Sequence, residues 1–285
     1  MRVTHLFLML TVIGCATAPK DPVDTASVFR RLAWIEGSIE TDYQPNEEIV
    51  ERRLAAWNGK APSLDDREEY LKYLSIVSAS NQRKVAELQI REYLNRYPKD
   101  TRGVFLLGVF YLRTKKPELA RFLFAKLEKD SDFQWKSLLF NNLGMMSLED
   151  GNRDQAIGYF EKAVSASPPI AAAHTNMGSI YLQSRSYEKA EGQFRRAVEI
   201  DDQFEDAVLG LGSALEGLGK FKEAHEVYAS FIDDHPRALS TLYNDSLILG
   251  DRLNQKQEAA ARLTQYIRAG GKESARAQKI LERWR

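Results

Sequence analysis

Between Ser137 and Phe204 the chain repeats itself at a fixed interval of 34 residues. Asn142-Leu143-Gly144, Ala156, Phe160, Ala163 and Pro168 return as Asn176-Met177-Gly178, Ala190, Phe194, Ala197 and Asp202. A period of this length constrains the fold strongly, because each copy is one small unit that buries its apolar face only by stacking on the next. Each copy reads as two antiparallel helices. Leu143 and Gly144 lie in the first; after the polar turn Glu149-Asp150-Gly151-Asn152, the residues Ala156, Phe160 and Ala163 follow the i, i+4, i+7 spacing of a second, amphipathic helix. Gly inside a helix costs about 1 kcal/mol against Ala, so its return at the same place needs a packing reason. Gly144 beside Ala156, and Gly178 beside Ala190, would let two helix axes approach closely, with Phe160 or Phe194 filling the space alongside.

These residues resemble the tetratricopeptide repeat. The resemblance implies an all-α, right-handed solenoid and extends over about six copies from residue 67 to 271. A weak first copy carries Leu74, Ala86, Ile90, Tyr93 and Pro98; Leu74 in place of Gly should splay its helix pair. The second has Leu107-Gly108, Tyr111, Ala120 and Phe124. From Gly108 to Gly144 the interval is 36, which places a two-residue insertion near Asp132-Phe133-Gln134-Trp135 and predicts a local change of superhelix pitch. The fifth copy has Leu211-Gly212, Ala224, Tyr228, Phe231 and Pro236. In the sixth, Asp245-Ser246 replaces Leu-Gly, and the small residue slips by one to Ala259. Gly270-Gly271 stops that copy, and residues 272–285 are expected to form a closing helix with Ala277, Ile280, Leu281 and Trp284 inward. Apolar residues from Val28 to Ile35, and Ile49, Val50, Leu54 and Trp57 behind an Asn46 N-cap, predict two further helices in residues 28–66 that cap the first repeat.

The first residues read differently. Arg2 precedes an apolar run from Leu6 to Ile13, too short for a mature spanning helix but suited to the core of a secretory signal. Its end, Val12-Ile13-Gly14-Cys15, resembles the bacterial lipobox. The resemblance implies removal of residues 1–14 and acylation of Cys15, with residues 15–27 as a tether and the bilayer as one partner. Multiple acyl chains would anchor the protein durably where one would not. Ala16 after the Cys favours, by analogy with such lipoproteins, an outer-membrane protein of the bacterial envelope facing the periplasm. Cys15 is the chain's single Cys, so no internal disulfide forms.

Composition narrows the function. Lys and Arg number 40 and so do Asp and Glu, which leaves no net field to concentrate on phosphates and argues against nucleic acid as the main partner. His174, His225 and His235 stand at least ten residues apart without Cys, Asp or Glu at metal-ligand spacing, so no catalytic residue, metal or cofactor is expected. Gly210-Leu211-Gly212 sits inside a predicted helix, where packing explains it and nucleotide binding does not.

The first helices of stacked pairs line the concave side. Read across copies, Phe105, Val109, Leu112, Leu138, Met145, Leu148, Leu182, Leu209, Tyr243 and Leu247 make an apolar wall for a partner helix or peptide. Asn142, Asn176 and Asn244, spaced by 34 and 68, add primary amides with Asn141 beside them. Such amides donate and accept together, and resemble the asparagine ladder with which some members of the family hold extended peptides. Lys72, Leu106 and Gly210 interrupt it, and the family's basic clamp for a C-terminal carboxylate is absent where Leu71, Phe105 and Asn141 stand. The expected function is a non-catalytic, membrane-anchored adaptor for a protein or peptide segment of an envelope machine, such as the secretin or motility apparatus served by pilotin-type lipoproteins. Docking of peptidoglycan enzymes, or closure of the groove on a second copy as a homo-oligomer, are the alternatives.

Overall fold

The computed structural model describes residues 54–284 apart from 56, 58, 59, 80 and 81. The signal, Cys15, the tether and nearly all of the two N-terminal helices expected before residue 58 lie outside the described residues. Among the described residues there are thirteen α-helices of this array: α1 (Arg67–Ala79), α2 (Arg83–Arg96), α3 (Thr101–Arg113), α4 (Pro117–Glu128), α5 (Lys136–Glu149), α6 (Arg153–Ser165), α7 (Ala171–Gln183), α8 (Tyr187–Ile200), α9 (Glu205–Gly217), α10 (Phe221–Asp234), α11 (Leu239–Leu247), α12 (Lys256–Arg268) and α13 (Ser274–Trp284). They form six hairpins and a closing helix. No strand occurs among the described residues.

Which helices lie inside follows from their contacts. First helices touch their counterparts in the next pair, α1 with α3, α5 with α7, α7 with α9 and α9 with α11, whereas successive second helices stand farther apart and meet through long side chains, Lys162 with Glu128 at 3.3 Å and Arg195 with Glu223 at 3.0 Å. A row that crowds on one side and spreads on the other is curved, with odd-numbered helices on the concave face. This is the all-α solenoid that the 34-residue period predicts.

The repeating Gly is a clearance. A methyl group at Gly108, Gly144 or Gly178 would meet the ring of Phe124, Phe160 or Phe194 at 2.3, 2.7 or 2.9 Å, and one at Gly212 would meet Tyr228 at 2.1 Å. In the first pair Leu74 faces this position and Ile90 replaces the aromatic. Both are fully buried, and α1 and α2 approach each other less closely than the helices of the other pairs.

The turns inside the pairs record the spacing independently. Lys115, Gly151, Arg185, Gly219 and Asn254 each have positive φ, from 56° to 76°. Their numbers advance by 36, 34, 34 and 35. The first irregularity is the insertion before α5. Phe133 is buried there, 5.8 Å from the Phe105 ring, and Trp135 meets the same ring edge-on at 5.9 Å. These rings occupy the joint, and α3 and α5 stand farther apart than the other neighbouring first helices. The second irregularity lies inside a helix. Ile248–Arg252 is a π-helical turn continuous with α11, and Leu253 N–H donates to Ile248 O at 3.0 Å. One extra residue is absorbed there, which accounts for the slip to Ala259.

At the ends, the stack is closed by side chains. Leu54 and Trp57 pack beside α1, with Trp57 Nε1 donating to Glu69 at 2.9 Å and its ring edge-on to Tyr73. At the other end, Ala277, Ile280 and Trp284 of α13 are buried, and Trp284 Nε1 donates to Asp251 at 2.8 Å.

Candidate functional site on the inner face

A residue of an inner helix faces its own hairpin partner, a neighbouring pair or the open groove, and only the last can meet a ligand. Six of the residues expected on the wall are buried. Phe105 lies between Phe124, Phe133 and Trp135; Val109, Leu138 and Leu209 are at most 3% exposed; Asn141 and Asn142 are at most 1% exposed. A partner cannot rest on side chains without surface, so they stand behind the wall and not on it. The residues left half-buried are Leu112, Met145, Leu148, Asn176, Leu182, Tyr243, Asn244 and Leu247. The apolar ones pack on three adjoining parts of the core: Leu112 on the N-terminal part, Met145 and Leu148 with Phe160 and Met177, and Leu182, Tyr243 and Leu247 on the C-terminal part.

The three asparagines do not form a ladder. Asn142 Nδ2 donates to Leu138 O of its own helix at 2.8 Å. Asn176 Nδ2 instead crosses to the preceding pair and donates to Asn141 Oδ1 at 2.9 Å. Asn244 faces the Tyr228 hydroxyl of α10. Equal spacing in sequence therefore does not produce equal environments.

What the inner face does carry is a set of unsatisfied polar atoms. Asn141 Nδ2, Thr175 Oγ1, Asp206 Oδ1 and Tyr243 OH are all buried without a hydrogen-bond partner among the described residues. They belong to four successive inner helices, and 141 and 175 are 34 apart, as 209 and 243 are, with Asp206 one helical turn before Leu209. A buried polar group left unpaired costs roughly 1–3 kcal/mol, so four in one row need an explanation. Asp206 bears most on this, being a carboxyl that burial, with neighbouring Glu205, pushes well above its ordinary range. Glu205 accepts from the Thr241 hydroxyl at 2.8 Å, yet burial raises its carboxyl too.

The sign of the pH effect follows. A carboxyl whose folded pKa is raised contributes stability that is full below its unfolded value near 4 and is lost as pH rises through the folded value. Asp206→Asn, which keeps the shape and removes the charge, is expected to stabilise the fold by about 1–2 kcal/mol at neutral pH. The gain should vanish below about pH 4, and thermal melts of the two proteins over a pH series measure it.

The histidines fall in unrelated places. His174 Nδ1 lies 2.9 Å from Gln193 Oε1, and burial lowers the ring's pKa. His235 bridges Phe231 O and Gln203. His225 Nδ1 lies 2.7 Å from Asp245, the fully buried replacement for the repeat's Leu, which also pairs with Arg262 at 2.8 Å. Burial pushes the Asp245 carboxyl up against the pull of both partners.

Models of the tetratricopeptide repeat match residues 143–203 and 206–238. No curated protein sequence matches the chain significantly. Among solved structures, the chain is similar to one from the functional characterization of Pseudomonas aeruginosa pilF, with 18% identity and a TM-score of 0.61 over 77% of this chain and 99% of that one. The Cut9-Hcn1 hetero-tetramer of the APC/C gives 13% identity and a TM-score of 0.59, over 91% of this chain and 48% of that one. YrrB, described as a TPR protein with an unusual peptide-binding site, gives 19% identity and a TM-score of 0.51, over 67% and 97%. At such identities the likeness is one of fold. It agrees with the hairpin order, the Gly–aromatic clearance and the curvature: the chain is an all-α solenoid that carries tetratricopeptide repeats.

Proposed function

We propose that the protein is a non-catalytic scaffold of a bacterial envelope, tethered by acylated Cys15, which holds a partner segment along its inner face. The observation that carries this reading is the set of side chains that keep surface on successive inner helices, the apolar Met145, Leu148, Leu182 and Leu247 with the amides of Asn176 and Asn244 among them. An extended peptide suits such a face, because its main chain offers a donor and an acceptor at every residue to the amides while its side chains cover the apolar positions. YrrB, whose fold is similar, is described by its peptide-binding site. The likeness in fold to pilF supports a partner belonging to an envelope machine of the pilus or secretin kind, with the lipid at Cys15 supplying local concentration.

A photocrosslinking amino acid at position 182 in the intact lipoprotein tests the reading. It is expected to capture an envelope protein, and Leu148→Glu with Met145→Glu should reduce capture at least tenfold while circular dichroism stays unchanged. Undiminished capture by that variant would place the binding surface elsewhere. Capture of a second copy alone would make the inner face a self-association surface.

A further inference from the structure

Among the described residues, the exposed large hydrophobic side chains are Val85 (40%), Leu88 (68%), Leu119 (46%) and Phe122 (60%). They are two copies of one motif. Val85 and Leu119 are 34 apart, as are Leu88 and Phe122, so the same i, i+3 face of the outer helices α2 and α4 is apolar. In the next three repeats these positions are held by Gln155 and Gly158, Lys189 and Gly192, and Glu223 and Glu226. The patch is confined to the convex side of the first two repeats.

The charge follows the patch. Residues 83–129 hold 12 Lys and Arg against 5 Asp and Glu, a surplus of seven positive charges in a chain whose totals balance at 40 each. Lys84, Lys115, Lys116, Lys126 and Lys129 are exposed and make no ion pair among the described residues, whereas only Glu92 and Glu118 on these two helices are left unpaired. Lys126 Nζ sits 4.5 Å from the centroid of the Phe122 ring, so cation and apolar group occupy one spot.

We infer that this convex face rests on an anionic lipid surface, with Leu88 and Phe122 entering the boundary between headgroups and acyl chains and the lysines meeting the lipid phosphates. Protruding apolar groups set among free lysines are the composition of a surface-lying amphipathic element. Four side chains fall far short of the roughly 800 Å² that each partner buries in a standard protein complex, and the lysine ammonium matches a diffuse field of phosphates without bidentate geometry. The consequence is orientation: the inner face is turned away from the bilayer. This does not rest on the groove reading or on acylation.

The test uses the full chain with Cys15→Ser, so that no acyl chain contributes, and vesicles of phosphatidylcholine with or without phosphatidylglycerol. The unsubstituted surface is expected to co-sediment with the anionic vesicles and to release at high salt. Leu88→Gln with Phe122→Gln should weaken partitioning about tenfold with unchanged circular dichroism, since both side chains are exposed. The apolar run from Leu6 to Ile13 can itself enter a bilayer, so a position-specific reporter is needed. Phe122→Trp should add blue-shifted emission that brominated lipid quenches, and Glu226→Trp, at the same register three repeats on, should not. Equal quenching at 122 and 226 would overturn the inference. So would crosslinking of position 122 to a soluble acidic protein without vesicle binding, which would make the patch a protein-docking surface.

Discussion

Asp100→Ala is expected to cost about 3–5 kcal/mol of stability, the range for removing one partner from a buried charge pair. Asp100 immediately precedes α3, and its carboxylate serves two repeats. One oxygen accepts from the Arg102 backbone N–H at 3.1 Å and from Arg102 Nε at 3.0 Å; the other accepts from Tyr93 OH and Arg67 Nη2 at 2.6 Å and from Arg102 Nη2 at 2.8 Å. The side chain is 4% exposed. Alanine removes the helix cap, leaves the buried Tyr93 hydroxyl without that acceptor and takes from Arg102 one of its two carboxylate partners, the other being Glu68. Arg67 is half exposed, so water replaces much of what it loses.

The same node gives the fold an acid limit. Burial alone would push the Asp100 carboxyl up, but the bonds from Arg102, Tyr93 and Arg67 hold it well below the ordinary carboxylate range. A carboxyl depressed in the folded state contributes stability that is full above its unfolded value near 4 and is lost as pH falls through the folded value. The melting temperature of the parent should therefore fall on acidification below about pH 4, and that of Asp100→Ala should fall less. Melts of both proteins over that window decide it; parallel curves would show that Asp100 is not the titrating group. Asp206 behaves in the opposite sense, which separates the two carboxyls in one experiment.

Phe194→Ala is expected to cost a similar 3–5 kcal/mol, by leaving a void at the contact of two repeats. The Phe194 ring is fully buried, and a methyl group on Gly178 of its own hairpin or on Gly210 of the next would lie 2.9 or 2.2 Å from it. Gly210→Ala alone should cost about 1–3 kcal/mol by overpacking. In the double variant the new methyl group enters the space that the ring has left, so the two losses should sum to more than the measured total. Urea denaturation of the four proteins gives that coupling. A lower slope of free energy against urea in Phe194→Ala would further show that the array no longer unfolds as one unit, because neighbouring contacts are what join the repeats.

How far the sequence reaches is visible in these residues. The hairpins, their order and the Gly–aromatic clearances follow from spacing alone, because the 34-residue period and the helical period fix which side chains meet inside one repeat. The inner face was legible only in part, since burial on a stacked helix depends on the neighbour. Phe105 is covered by Phe133 and Trp135 of the inserted connection, and Asn142 turns to its own backbone while Asn176 reaches across to Asn141. The Asp100 node joins residues 67, 93 and 102, which no motif links; an Asp directly before a helix was the available sign. By spacing alone Asp245 is only a departure from the repeat's Leu, yet it is an anchored polar core residue held by His225 and Arg262.

The π turn at Ile248–Arg252 bears on how such an array tolerates change in length. One residue inserted into an α-helix rotates everything beyond it by about 100°, enough to swing a buried face into water. Here the surplus bulges within a single turn. Gly250 lies against Trp284 so closely that a methyl group there would fall 2.2 Å from the indole, and the same indole donates to Asp251. The terminal tryptophan thus acts as a phase lock: it clasps the bulge from outside, and α12 leaves the turn in step with the five second helices before it.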